Sequence, residues 1–222
     1  MRVLTWNLFH GRSVPGSGRD LSAEFAARLA GWNWEVALLQ EVPPWWATML
    51  GQATGASART ALTSRNLVLP LRKAVATRFP DLVKSNGGGA NVILVRGQTI
   101  AEHRRAALRW WPERRVVHAV RTVDGAWWAN LHAQVHSEER ALADAETAAR
   151  ELRGWSDDGP RLVLGGDTNV REPRAPGFVH LGGNYVDHVL ARGWARAGAR
   201  LLDAGRLSDH APVLVAIEPA TS

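Results

Sequence analysis

Short apolar runs that break off at a carboxylate, a carboxamide or an imidazole recur along this chain, and they restrict it to folds in which buried strands deliver polar groups at their ends. The plainest is Arg161 to Asn169, where Leu162-Val163-Leu164 meets Gly165-Gly166 and then Asp167-Thr168-Asn169. A run this short and bounded by glycines reads as a strand. The glycines allow a bend and a close approach, and Asp167 and Asn169 aim at one point if the chain stays extended. Arg2 to Leu8 alternates, with Val3, Thr5 and Asn7 on one face and Leu4, Trp6 and Leu8 on the other. Glu35 to Glu41 carries Val36-Ala37-Leu38-Leu39 outward to Gln40-Glu41. Gly87-Gly88-Gly89 opens the strand Asn91 to Val95, and Thr99 to Leu108 is its expected antiparallel neighbour. Asp124-Gly125 predicts a hairpin between Arg114 to Thr122 and Trp127 to Ala133, on which Trp128, Asn130 and His132 share one face. Tyr185 to Leu190 sets Asp187 and His188 on opposite faces, and Ser208-Asp209-His210-Ala211-Pro212 leads into a last strand, Val213 to Ile217.

Helical stripes alternate with these strands. Asp20 is a suitable N-cap for a helix carrying Leu21, Phe25, Leu29 and Trp32, and Gly31 marks its end. Trp45 to Gln52 follows Pro43-Pro44 as a short helix. Ser137 caps a long helix to Gly154, with Glu138 and Glu139 in the first turn and Arg150 and Arg153 in the last, matching the helix dipole. Phe9 to Gly18 and the stretch around Pro173 and Pro176 read as loops, and Ala53 to Ser85 gives mixed signals with no chemistry assigned. With 222 residues, 45% hydrophobic, and no linker or repeat, one α/β domain over 1–222 is expected.

The absence of cysteine excludes disulfides, thiolate metal sites and a cysteine nucleophile, so any metal must be held by oxygen or imidazole. No apolar run is long enough for a membrane span and no signal peptide opens the chain, so a soluble, cytoplasmic protein is expected. A net charge of +6 suits a polyanionic partner. Asn7, Glu41, Asn130, His132, Asp167, Asn169, Asp187, Asp209 and His210 all stand at edges of apolar strands. Gathered at one rim, they would make an oxygen-rich cation site with bases beside it.

Thr5-Trp6-Asn7, Leu39-Gln40-Glu41, Asn130-Leu131-His132, Gly166-Asp167-Thr168-Asn169, Val186-Asp187-His188-Val189 and Ser208-Asp209-His210-Ala211-Pro212 together resemble the endonuclease/exonuclease/phosphatase superfamily, in its deoxyribonuclease I-like form. The resemblance implies a four-layer α/β sandwich, with two mixed β-sheets face to face and helices on both outer sides. It implies that Glu41, with Asn7 and Asp209, holds Mg²⁺, for which Mn²⁺ could substitute. His210, oriented by Asp187, is taken as the base, with Asp167 the alternative; Asp167 and Asn169 would position water and phosphate, and His132, with Asn130 on the same face, would contact the phosphate. Val42-Pro43 and His132 depart from the apurinic-endonuclease pattern of Thr-Lys after the glutamate and Tyr at the histidine's place.

Arg104, Arg105, Arg109, Arg114 and Arg115 flank Trp110-Trp111, a composition able to grip phosphates and stack on bases, or simply a solvated face. The first expectation is a metal-dependent nuclease acting on DNA or RNA, with no obligate protein partner inferred. The second is a phosphodiesterase or phosphatase on small or lipid phosphoesters, and the third a nucleic-acid-binding module without activity.

Overall fold

The structure, a computed structural model, describes residues 1–63, 66, 69–79 and 89–220; Gly87 and Gly88 lie outside the described residues. One six-stranded sheet is ordered β11-β12-β1-β2-β4-β3 and the other β5-β6-β7-β8-β10-β9. In the first, β1 is Arg2–Asn7, β2 Val36–Val42, β3 Ser57–Leu62, β4 Ala90–Val95, β11 Trp194–Leu201 and β12 Val213–Pro219. In the second, β5 is Ile100–Arg109, β6 Arg115–Thr122, β7 Trp127–His132, β8 Leu162–Asp167, β9 Val179–Asn184 and β10 Asp187–Arg192. The helices are α1 (Ser22–Gly31), α2 (Ala47–Thr54), α3 (Leu69–Arg78) and α4 (Glu138–Trp155).

Strand alternation sorts the core into layers. Val3, Leu38, Trp128, Val163, Val189 and Val215 fill the space between the sheets. Leu4, Trp6 and Leu39 face Phe25, Leu29 and Leu50 of α1 and α2, while Trp127, Ala129, Leu131 and Leu164 face Ala141, Ala148 and Leu152 of α4. This is the four-layer sandwich expected. Ser137 caps α4 by accepting from the Arg140 amide at 3.3 Å, and the Asp124-Gly125 turn forms with Gly125 at φ +87°. Asp20 accepts from the Ser22 amide at 3.1 Å, but Leu21 occupies the cap position of α1, so that helix begins one residue later than expected.

The strands β3, β9 and β11 were not legible in sequence. All are sheet edges, half exposed and therefore without the apolar run that marks a buried strand. The Thr99 to Leu108 strand pairs with β6, and β4 pairs with β2 and β3, so the expected pairing of that strand with Asn91 to Val95 does not form: the two strands belong to different sheets. The two glycines of β8 serve the protein's own packing. A Cβ on Gly165 would lie 2.7 Å from Leu38 Cδ1 of the facing sheet, and one on Gly166, at φ +137°, would lie 1.9 Å from the Leu131 carbonyl oxygen.

The apolar interior between the sheets is interrupted by an amide bridge. Gln40 Nε2 donates to Asn130 Oδ1 at 2.8 Å and to the Leu38 carbonyl at 2.9 Å. Asn130 Nδ2 donates to the carbonyls of Leu39 at 2.9 Å and Val92 at 3.0 Å. Breaking it strands buried polar groups at about 1–3 kcal/mol each. Asn130→Leu is therefore expected to lower unfolding free energy by about 2 kcal/mol or more, read from the urea midpoint at constant slope; an unchanged midpoint would contradict the bridge's role.

His118 is fully buried on β6, its Nδ1 3.2 Å from His103 Nε2. Burial first, and then the charge of His103, hold it well below 6.5. A folded-state value below the unfolded one means that the unfolded chain binds the extra proton. Stability is therefore expected to be complete above about 6.5 and to fall as pH drops below it. The fall should be shallower in His118→Gln, measured by denaturant titration across this range.

Candidate active site

The inter-sheet faces carry more than packing residues at one end. Asn7 ends β1 on the same face as Val3 and Thr5, and His132 and Asp167 end β7 and β8 in register with each other. Asp187 opens the antiparallel β10 directly opposite Asp167. The turn before β12 brings Asp209 and His210 to the same end, because β12 starts beside Thr5. That turn is pinned to β1: Ser208 Oγ donates to the Asn7 carbonyl at 2.6 Å, and Trp6 Nε1 donates to the His210 carbonyl at 3.0 Å.

Glu41 reaches this end by a different route. Regular alternation would point it with Ala37 and Leu39 toward the helices, but the β2–β4 register slips between Leu39 and Val42 and Glu41 takes φ +50°. The bulge turns its carboxylate into the cleft. Phe9, His10, Asn169 and Ser208 also hold positive φ. Left-handed non-glycine residues collected at one place are costly and are typical of functional sites.

The cleft encloses about 440 Å³, and Asn7, His10, Glu41, His132, Asp167, Asn169, Asp209 and His210 all line it, with Arg114 and Arg115 on one wall. Asp167 is the hub. Its Oδ2 accepts from Asn7 Nδ2 at 3.0 Å and lies 3.5 Å from His132 Nε2 and 3.9 Å from His210 Nε2. Asn169 lines the cleft through a turn instead of an extended chain, its amide donating to Asp167 Oδ1 at 3.0 Å and its Nδ2 to the Ala133 carbonyl at 2.9 Å. Asp187 stands behind, 2.7 Å from His210 Nδ1. His188, on the opposite face, is bonded to His180 and to the carbonyls of Val170 and Tyr185.

Not every expected residue arrives here. Asn130 is fully buried in the amide bridge and makes no part of the cleft wall. Arg104 is paired with Glu102, and Arg109 with Asp144 at 3.2 Å, and neither they, Arg105, Trp110 nor Trp111 lines the cleft. Arg115 does; it is buried and bonded to Glu113 at 2.6 Å. His10, read as part of a loop, sits 3.0 Å from Glu41 Oε2. Its only sequence signal was its place three residues after Asn7.

The electrostatics follow from crowding acids in a buried space. Desolvation, and then the charge of Asp187, push Asp167 up to about 7. Burial opposes the His210 imidazolium, but the hydrogen bond and charge of Asp187, with Asp167 and Asp209 adding, overcome it and raise His210 to about 9. Burial, then the charges of Arg115, His10 and His210, keep His132 neutral, well below 6.5. Burial also raises Glu41 against the effect of Asn7.

These residues fit a divalent cation. A desolvated glutamate, with Asn7 and Asp209 lining the same cleft, would supply hard oxygen donors of the kind Mg²⁺ takes alongside water and phosphate. A second group, Asp167, Asp187 and His210, has ligand atoms within 4.8 Å of one another, but its His210–Asp187 contact is already a short hydrogen bond.

In the metal-free protein, Asp187→Asn is expected to drop His210 from about 9 toward or below its ordinary 6.5, read from imidazole resonances in an NMR titration. A value still near 9 would mean that Asp187 does not set it.

Residues 4–210 match the family model described as the Endonuclease/Exonuclease/phosphatase family. A functionally unknown conserved protein from Enterococcus faecalis V583 has a similar structure, with TM-score 0.74 at 16% identity over 99% of this chain and 100% of that one. So does a mannosyl-6-phosphatase of Bacteroides thetaiotaomicron VPI-5482, with TM-score 0.72 at 13% identity over 98% and 99%. A humanized D. rerio TDP2 has TM-score 0.71 at 12% identity over 98% of each chain. Identities this low carry the fold alone. No curated protein matches the sequence.

Proposed function

This chain belongs to the Endonuclease/Exonuclease/phosphatase family, whose members are phosphoester hydrolases, and on that premise we propose that it is a divalent-metal-dependent phosphodiesterase acting on nucleic acid. The observation that carries this reading is the meeting of Glu41, Asp167 and His210, from distant parts of the chain, in one cleft. Glu41, Asn7 and Asp209 would hold the ion, most suitably Mg²⁺ with Mn²⁺ as a substitute. When bound, it neutralises charge building on the phosphoryl oxygens.

The protein's own groups divide the remaining work. Asp167 takes the proton from the attacking water at Oδ2. A carboxylate near 7 is matched to that task at neutral pH. His210, held cationic against Asp187, donates through Nε2 to a phosphoryl oxygen. Of the two candidates for the base, His210 and Asp167, we prefer Asp167, since an imidazole held cationic by Asp187 is a poor acceptor near neutrality. Neutral His132 contacts the phosphate from the other side, and Asn169 orients the water. Arg115, part of the arginine cluster in the sequence, becomes a phosphate-binding residue in the cleft wall. Asn130 acts only by positioning the strands. Among the described residues no helix is long and apolar enough to cross a membrane.

The net charge of +6 and the arginines on the cleft wall favour a polyanion. The second reading, a phosphatase on a small phosphoester, is favoured by the volume of about 440 Å³, which suits a small ligand. Purified protein with Mg²⁺ or Mn²⁺ should be offered plasmid, single-stranded DNA, RNA, sugar phosphates and inositol phosphates. Nucleic-acid cleavage that falls steeply with salt is expected, with kcat reduced by about 10²–10⁴ in Asp167→Asn and in His210→Ala. Turnover of sugar phosphates that DNA does not compete with would instead support the phosphatase reading, and full activity in both variants would contradict either.

A further inference from the structure

One cleft imidazole has no part in the chemistry proposed so far. His10 belongs to the short turn Phe9–Gly11 that follows β1, and its Nε2 lies 3.0 Å from Glu41 Oε2. The two side chains are only 14% and 21% exposed, so the contact is unlike a screened surface pair such as Arg19 with Glu24, at 62% and 36%. Both residues also hold left-handed backbone, His10 at φ +54° and Glu41 at φ +50°. Such a conformation persists only where the surroundings over-determine it.

The neighbouring contacts supply that constraint. The Leu8 amide donates to the Gln40 carbonyl at 2.8 Å, tying the turn to β2 one residue before Glu41. The amides of Gly11 and Arg12 close the turn on the carbonyls of Leu8 at 2.8 Å and Phe9 at 3.2 Å. Gly11, at φ +77°, lets the Trp46 ring lie against the turn, where an added Cβ would come within 2.4 Å of it. Gly89 adjoins both members of the pair: a Cβ there would stand 3.5 Å from Glu41 Cα and 3.5 Å from His10 Cε1. Two separately constrained segments thus bring an imidazole to one carboxylate oxygen, while the other, Oε1, lies 3.9 Å from His132 Nδ1.

The opposite end of the same two strands makes the contrast. β1 and β2 run parallel, and where they begin Arg2 is paired with Glu35. A guanidinium neutralises its acid permanently. At the cleft end it would cancel the negative charge that a cation needs, whereas an imidazole donates one N–H without a fixed charge.

We propose that His10 is the positioning residue of Glu41, holding Oε2 through Nε2–H and leaving Oε1 for the cation. The inference rests on the reading of Glu41 as a metal ligand given above. A glutamate side chain has several rotamers, and fixing one in advance removes that ordering cost from ion binding. Hydrogen bonds to ligating side chains are typically worth about 10–100-fold in metal affinity.

The test is binding of Mn²⁺ alone, followed by electron paramagnetic resonance of the free ion, with Mg²⁺ measured by competition, in the wild type, His10→Ala, His10→Gln and Glu41→Ala. His10→Ala should weaken both ions about 10–100-fold, and His10→Gln, whose amide can stand where Nε2 does, should recover most of the loss. In the metal-free protein, NMR should show a His10 imidazole N–H protected from exchange and lost in Glu41→Ala, a readout that needs neither metal nor turnover. Unchanged affinity in His10→Ala, equal loss in the Ala and Gln variants, or an unprotected N–H overturns the assignment. So does a loss confined to Mn²⁺, which would make the imidazole a direct ligand, since Mg²⁺ takes oxygen. The two readings fail separately. Glu41→Ala binding the ions as tightly as wild type removes the metal site assigned above, and this inference with it, whereas binding lost in Glu41→Ala but kept in His10→Ala overturns the role of His10 alone.

Discussion

The contact between Gln40 and Asn130 spans the gap between the two sheets, and the way the two sheets' cleft residues face each other depends on it. Two sheets packed through aliphatic side chains can slide, because dispersion and burial have little directionality. A pair of buried amides cannot follow such a slide without stranding donors and acceptors. Gln40 on β2 meets Asn130 on β7, and Asn130 in turn holds the carbonyls of Leu39 and Val92. The next residues outward on those strands are Glu41 and, on the same face of β7, His132. The bridge thus sets the distance across which the first sheet's acid faces the second sheet's imidazole, His132 Nδ1 lying 3.9 Å from Glu41 Oε1.

The same end of the sandwich concentrates unfavourable features. Carboxylates crowd one another out of water, and non-glycine residues hold left-handed backbone. Asp167 is raised by burial and by Asp187, and Glu41 by burial. Such a cluster lowers folding stability and is tolerated where a ligand of opposite charge relieves it. On the proposed function, a divalent cation and a phosphate would complement it between them, the first meeting the acids and the second meeting His210, His132 and Arg115.

Much of this was legible in sequence, for a definite physical reason. Central strands such as Arg2–Asn7 and Leu162–Asp167 are buried on both faces and advertise themselves as apolar runs, so their polar ends stand out. The alternation that put Asn7 with Val3 and Asp187 opposite to His188 held in three dimensions. The edge strands β3, β9 and β11 gave no such signal, being half solvated and rich in arginine, alanine or glycine. Within the site, the bulge that redirects Glu41 has no local sequence mark. The inward face shared by Asn130 and His132 was read correctly, but face alone does not tell depth: one residue lies within the bridge and the other at the cleft. His10 was hidden in a loop whose conformation depends on Trp46 packing against Gly11, where an added Cβ would meet the Trp46 ring at 2.4 Å.

The central claim is that Glu41 and His210 act as parts of one site. Measuring kcat/KM for the wild type, Glu41→Gln, His210→Ala and the double variant, on whichever substrate the wild type turns over, tests it most directly. The account predicts strong non-additivity, the double variant losing little more than the worse single one, as for groups that work as a unit. Losses that multiply independently, as they do for separated residues with no shared partner, would contradict it.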